Sequence, residues 1–154
     1  MFMAVYAYLA KPTHQGGLDW MVQQWETDGA RIGHFSLVRF GPYQNFDEGR
    51  VARDSGSVGE MIGVAIRSDP ECLRFEHWVH GKAVRRIAYE QEKGGWTRSE
   101  GTPEPWESNV PAHRDADEPA WTLAKARAGE RVPWPDLKRA HAAISAYLGI
   151  EMPG

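Results

Sequence analysis

The chain has 154 residues, 42% of them hydrophobic and 25% charged, and these values are ordinary for a soluble globular domain. Its net charge is −3 and its isoelectric point is about 6.1, which argues against a nucleic-acid or membrane binder, because either would need a basic face. The length predicts a single domain over residues 1–154. The only cysteine, Cys72, excludes an internal disulfide and indicates a reducing compartment, so we expect a cytoplasmic protein.

The N-terminal part of the chain predicts three strands, one helix and one long loop. Residues 1–9 are apolar on both faces and predict a central strand; they are too few to span a bilayer and lack the basic start of a signal peptide. Residues 32–40 and 60–67 predict the second and third strands. Between these, residues 41–59 show no period and predict a loop that is either mobile or functional. The helix is predicted by apolar residues at helical spacing, namely Leu18, Met21, Val22 and Trp25.

Residues 73–90 predict a β-hairpin that turns at His80 and the glycine after it, since glycine accepts the positive φ of a type I′ turn. The first arm places Arg74 and Glu76 on one face of its strand. With a two-residue turn, Glu76 lies opposite Arg85, and the two are expected to form a cross-strand ion pair. A one-residue bulge would instead shift the register and turn the second arm over.

The rest of the chain predicts one more strand and two helices. A short strand around Trp96 leads into GTPEPWE, residues 101–107, which we call the Pro-Trp clasp and expect to be extended because its prolines restrict φ. Residues 119–128 and 137–148 predict two helices. The order of elements predicts an α+β fold: a single antiparallel sheet of about five or six strands, with one N-terminal and two C-terminal helices packed on one face.

The segments HGKAVRRIAY, GGW and GTPEPWE resemble a pattern in small uncharacterised bacterial proteins. In that pattern a strand, a tight glycine turn and a second strand rich in aliphatic residues and arginine are followed by a G-x-P-x-P-W-E segment. The resemblance covers roughly a quarter of the chain. It implies a bacterial source and supports the hairpin, but it implies no activity and no site residues.

The sequence lacks the common metal, nucleotide and nucleophile motifs. We therefore expect no metal site and no cofactor. Cys72 lies close to Asp69 and Glu71, whose charges would blunt a reactive thiol, and this favours a buried structural residue.

One face of the hairpin nevertheless offers candidate catalytic residues. Glu76 with Arg74, Arg85 and His80 could bind an anion or act as acid and base in a small metal-independent hydrolase or nuclease-like enzyme. The competing interpretation is a solvated sheet face joined by ion pairs, which is common in antiparallel sheets.

Two tryptophans beside prolines, Trp106 and Trp134, are candidate anchors for a partner protein. The competing interpretation is that each ring is buried in its own domain and holds a loop onto the core. We further predict that Trp134 is more exposed than Trp78. The leading hypothesis is a non-enzymatic cytoplasmic module that binds another protein in an accessory or neutralising, immunity-like role; the hydrolase is the alternative.

Overall fold

A computed structural model describes residues 4–13, 15–16, 19, 31–32, 35–41, 48–110 and 137–148. The α-helices with defined bounds in this part of the chain are α1 (Glu48–Val58) and α2 (Leu137–Leu148), and 3₁₀ turns lie at Gln91–Lys93 and Pro105–Asn109. The strands are β1 (Ala4–Pro12), β2 (Arg31–Ile32), β3 (Phe35–Gly41), β4 (Gly59–Ser68), β5 (Glu71–Val79), β6 (Lys82–Glu90) and β7 (Gly95–Gly101).

The strands form one antiparallel sheet in the order β2-β3-β1-β4-β5-β6-β7. Six of them have seven to ten residues, and β2 adds two residues at one edge. The predicted α+β class and antiparallel sheet are therefore confirmed, and β1 lies inside the sheet as its apolar sequence predicts. The predicted helices at 18–25 and 119–128 fall, apart from Asp19, outside the described residues.

None of the helices in the described ranges is long and apolar enough to cross a membrane.

The core lies between one face of the sheet and helix α2. We call this side of the sheet the core face. Isoleucine, leucine and aromatic side chains of β4 to β7 meet the apolar stripe of α2 here, and the predicted helix at 137–148 is confirmed. The buried cluster consists of Leu9, Ile62, Val64, Ile66, Leu73, Phe75, Ile87, Tyr89, Trp96, Trp106, Val110, Leu137, Ala140, Ile144 and Leu148.

The prediction of a loop throughout residues 41–59 is wrong, because α1 occupies most of its second half. The helix is rich in serine and glycine, which are weak helix formers, so propensity alone does not indicate it. Tertiary contacts with β1, β4 and β5 stabilise it instead, and Val51 and Val58 are fully buried. Ser55 Oγ also accepts a hydrogen bond of 3.0 Å from the backbone N–H of Gly81, which joins the helix to the hairpin turn.

The hairpin turns where the sequence predicts, but its register changes two residues later. His80 and Gly81 have φ values of 48° and 78°, as a type I′ turn requires. Beyond the second pair of the ladder a bulge intervenes, so that Glu76 lies opposite Arg86 and not opposite Arg85. The predicted Glu76–Arg85 ion pair is therefore wrong.

The bulge is at Val84, which has no partner on β5. Its carbonyl instead accepts a hydrogen bond of 3.1 Å from the N–H of Thr102, just after β7. Gly101 makes this approach possible, because its φ is +87° and a Cβ there would clash with the same carbonyl. The start of the Pro-Trp clasp thus holds the bulge and turns Arg85 onto the core face.

Candidate functional site: the charged network under the clasp

The four candidate catalytic residues of the hydrolase alternative do not share one face of the sheet. Arg74 and Glu76 lie on the sheet face opposite the core face, whereas the bulge places Arg85 on the core face. His80 is exposed at the turn, and its backbone N–H donates to the carbonyl of Gly59 at 2.7 Å.

Arg86 takes the position beside Glu76 that the sequence assigns to Arg85. Its Nε donates to Glu76 Oε1 at 2.7 Å, and its guanidinium lies 5.2 Å from the centre of the Trp78 ring. Arg74 instead pairs with Glu90, with 2.8 Å between Nη2 and Oε1. The charges on this face therefore bind one another, as the interpretation of a sheet face joined by ion pairs requires.

Glu76 is only 2% exposed, and burial raises the pKa of its carboxyl. The hydrogen bond and charge of Arg86, the Trp78 N–H and the charge of Arg74 act in the opposite direction, but burial outweighs them. The Trp78 indole favours the ionised carboxyl without forming a hydrogen bond of normal geometry. Within the described ranges, Glu76 Oε2 and Trp78 Nε1 are buried without a hydrogen-bond partner. For Glu90, burial opposes ionisation, but Arg74, Thr97 and Lys93 outweigh it and lower the pKa.

A double-mutant cycle tests the observed register. We expect Glu76→Gln and Arg86→Met to show a coupling energy of about 1 kcal/mol in urea unfolding, because the two side chains are in contact. The matched cycle of Glu76→Gln with Arg85→Met should be additive to within about 0.5 kcal/mol, since those residues lie on opposite faces. If Glu76 were coupled to Arg85 and not to Arg86, the hairpin would have the register without the bulge, and the observed register would be wrong.

On the core face, Arg85 and Glu107 form a buried two-pronged ion pair. Arg85 Nε and Nη2 donate to the two carboxylate oxygens of Glu107 at 2.9 and 2.6 Å. Arg85 Nη1 donates to the backbone carbonyl of Glu100 at 3.2 Å. Arg85 is 2% exposed and Glu107 is fully buried, so each charge depends on the other for its stabilisation.

Glu107 also organises the clasp. Its Oε2 accepts a hydrogen bond of 2.6 Å from the backbone N–H of Glu104, and the Glu104 side chain caps the turn in return. Glu104 itself is extended, as predicted, but the 3₁₀ turn Pro105–Asn109 replaces the extended chain after it. The reciprocal caps fix two carboxylates three residues apart: Glu107 faces Arg85, and Glu104 faces His77.

Trp106 lies between these two glutamates and points into the core. It is 3% exposed, and its ring makes an edge contact with Phe75 at a centroid distance of 5.1 Å. This is the placement expected for a ring buried in its own domain. Trp134, and with it the comparison of its exposure with that of Trp78, lies outside the described residues.

A second group of polar side chains on the core face is centred on His77. Its Nε2 is 2.7 Å from Glu60 Oε1 and its Nδ1 is 2.5 Å from Glu104 Oε1. The hydroxyl of Tyr147 on α2 donates to the other oxygen of Glu104 at 3.1 Å. Carboxylate oxygens accept hydrogen bonds, so two of them at one imidazole require an N–H on each ring nitrogen, as in the imidazolium.

The pKa of His77 is raised above its ordinary value of 6.5. Burial lowers it, but hydrogen bonds to Glu104 and Glu60 and their charges outweigh burial. Burial and the same two carboxylates raise the pKa of Tyr147 to about 12, so its hydroxyl remains a donor at neutral pH. The described ranges contain no group of three or more His, Cys, Asp or Glu side chains placed to hold a metal ion.

Sequence reasoning missed Glu60, His77, Glu104 and Tyr147 as a set, because they come from four separate segments. One signal was available: two glutamates three apart around a proline match a capping box with proline in the first turn. The prediction for Cys72 is confirmed, since the thiol is buried and Arg67 Nη2 donates to its sulfur at 3.3 Å.

No protein-family model, no curated protein and no solved structure matches this chain. The resemblance of the hairpin and the clasp to small bacterial proteins therefore stays a prediction, and function has to be argued from the residues themselves.

Proposed function

We propose that this protein is a non-enzymatic module that binds another protein, in an accessory or neutralising, immunity-like role. One observation carries the proposal: the charged side chains at the centre of the hairpin already have partners of opposite charge. Arg85 is held by Glu107, His77 by two glutamates, and Glu76 by Arg86. Charges paired in this way stiffen a scaffold, and a stiff scaffold loses little entropy when it binds. A cytoplasmic location and a bacterial source belong to the same proposal, supported by the single cysteine and by the resemblance.

The partner surface we propose includes the Trp78–Arg86 pair on the face opposite the core. Tryptophan and arginine are the residue types that most often dominate binding energy. Trp78 is partly exposed, and the Arg86 side chain keeps 21% of its exposure while lying over the indole ring. With Trp106 buried in the core, this pair joins Trp134 as a candidate anchor.

A capture experiment tests the proposal. The tagged full chain should retain one stoichiometric protein from native lysate of its source organism, and Trp78→Ala should weaken capture roughly tenfold or more. Glu92→Ala, an exposed change in the 3₁₀ turn Gln91–Lys93, is the control and should capture normally. Urea unfolding of each variant separates lost binding from lost structure. The absence of any stoichiometric partner would contradict the binding function, and normal capture by a folded Trp78→Ala variant would contradict this surface.

The alternative remains a small metal-independent hydrolase or nuclease-like enzyme. One observation favours it: Glu60, whose side chain is 20% exposed, contacts the imidazole of His77, and a carboxylate beside a histidine is a common acid–base pair. In a hydrolase screen, loss of a measured activity in folded His77→Gln or Glu76→Gln protein would favour the enzyme over the binding module.

We also propose that residues 18–25 and 119–128 form helices on the same sheet face as α2, within one domain spanning residues 1–154. The packing of α2 on the core face supports this arrangement.

A further inference from the structure

Four parts of the chain meet at one imidazole ring. Glu60 comes from β4, His77 from β5, Glu104 from the clasp and Tyr147 from α2. The 3₁₀ turn of the clasp and α2 contact each other, and Glu104 of the clasp bonds both to Tyr147 of α2 and, on its other oxygen, to the ring of His77, which also contacts Glu60 of β4. We propose that a single proton on His77 acts as a pH-dependent switch that controls how tightly the clasp and α2 are held to the sheet. This inference goes beyond the proposed binding function and does not depend on it.

The positions of the two carboxylates around His77 favour a doubly protonated ring. With both ring nitrogens facing carboxylate oxygens at 2.7 and 2.5 Å, a neutral imidazole leaves one carboxylate facing a ring lone pair. Glu104 is 7% exposed, so little water can solvate its carboxylate if that carboxylate faces the ring lone pair. Tyr147 cannot compensate, because its hydroxyl already donates to the second oxygen of Glu104.

The neighbouring charges reinforce this dependence. Arg85 lies directly across from His77 on β6, Glu107 belongs to the same clasp, and the exposed Lys11 of β1 is paired across the ladder with Glu60. The buried cations are then Arg85 and protonated His77, against the carboxylates of Glu60, Glu104 and Glu107. Removal of the His77 proton leaves one cation facing three carboxylates, which repel each other and lose a hydrogen bond.

The sign follows from linkage. A histidine whose pKa is raised on folding stabilises the folded state fully below its unfolded pKa, near 6.5, and this stabilisation is lost as pH rises through the folded pKa. Attachment of the clasp and α2 should therefore be complete below about pH 6.5 and weaken as pH rises through the folded pKa of His77.

Hydrogen exchange of the full chain tests the switch, together with a ¹⁵N NMR titration of the His77 ring. We expect both ring nitrogens to be protonated at about pH 6, because each faces a carboxylate oxygen. As pH passes through the His77 titration, protection factors in Pro105–Asn109 and α2 should fall roughly tenfold for each unit of pKa shift. Amides in the β4–β5 ladder should change less, since a local opening leaves the sheet intact. His77→Gln should remove the pH dependence, while the exposed His80→Gln on the same hairpin should leave it unchanged.

A His77 ring that is already neutral at about pH 6 would overturn the proposal. So would protection in α2 that does not change across the titration, or an equal fall in the sheet and in α2, which would indicate loss of global stability without a local switch. If His77→Gln fails to fold, the wild-type titration and the comparison of α2 with the sheet still decide between these outcomes.

Discussion

Replacing Glu107 with alanine is expected to lower the free energy of unfolding by about 3–5 kcal/mol. The substitution leaves Arg85, which is 2% exposed, charged and without its carboxylate partner. It also removes the acceptor of the Glu104 backbone N–H, so the cap of the 3₁₀ turn is lost. Small domains are commonly stable by only about 5–15 kcal/mol, and the loss should be plain as a lower urea midpoint.

Three variants separate the contributions at this site. Glu107→Gln keeps an acceptor for the backbone N–H and should be less destabilised than the alanine variant. The double variant Arg85→Met with Glu107→Leu removes both charges and should recover much of the lost stability, because no unpaired ion remains. Glu100→Ala is the surface control: its side chain is 59% exposed and its ion pairs should contribute less than about 1 kcal/mol. If the free energy of unfolding of Glu107→Ala lay within about 1 kcal/mol of the wild-type value, the Arg85–Glu107 pair would not stabilise the fold as proposed.

The second large effect is expected at Trp106, where substitution by alanine should cost about 3–5 kcal/mol. The ring is 3% exposed, lies in the main core cluster and packs edge-on against Phe75. Its removal opens a cavity between the clasp and the sheet that the capped turn is too constrained to fill. Urea unfolding measures the loss.

Trp106→Phe is the matched control. Within the described part of the chain, Trp106 Nε1 has no hydrogen-bond partner, so phenylalanine removes volume but no hydrogen bond. We expect it to cost clearly less than Trp106→Ala, because the phenyl ring leaves a much smaller cavity. Unchanged stability of Trp106→Ala together with loss of partner capture would instead show that this ring is a binding anchor.

The hairpin shows how far local reasoning reaches. The glycine turn, both arms and the first two cross-strand pairs follow from residues 73–90 and are observed. The next cross-strand pair differs from the prediction, because the carbonyl of Val84 accepts a hydrogen bond from the N–H of Thr102, 18 positions later in the sequence. Since side chains alternate along a strand, that one contact exchanges Arg85 and Arg86 between the two faces of the sheet. The candidate site changes with them, from Arg74, Glu76 and Arg85 to the core-face network.

Helix α1 shows the opposite failure. Its sequence, EGRVARDSGSV, mixes helix formers with serine and glycine, and no local signal separates it from a loop. The burial of Val51 and Val58 and the contacts with three strands decide its structure. Propensity differences of a few tenths of a kcal/mol per residue are smaller than the gain from burying such side chains.

The sequence by itself determined the α+β class, the antiparallel pairing, the inner position of β1, the helix α2, the hairpin turn and the buried thiol, because each depends on periodicity or on the conformational limits of nearby residues. Tertiary structure alone decided the partners of the charges: Arg85 with Glu107, Arg86 with Glu76, and His77 with Glu60 and Glu104. The pairs of Arg85 and His77 join segments far apart in the sequence, and a single bulge decides whether Arg85 or Arg86 lies beside Glu76. Local preferences do not encode that bulge, since it is stabilised by a backbone hydrogen bond from the start of the clasp.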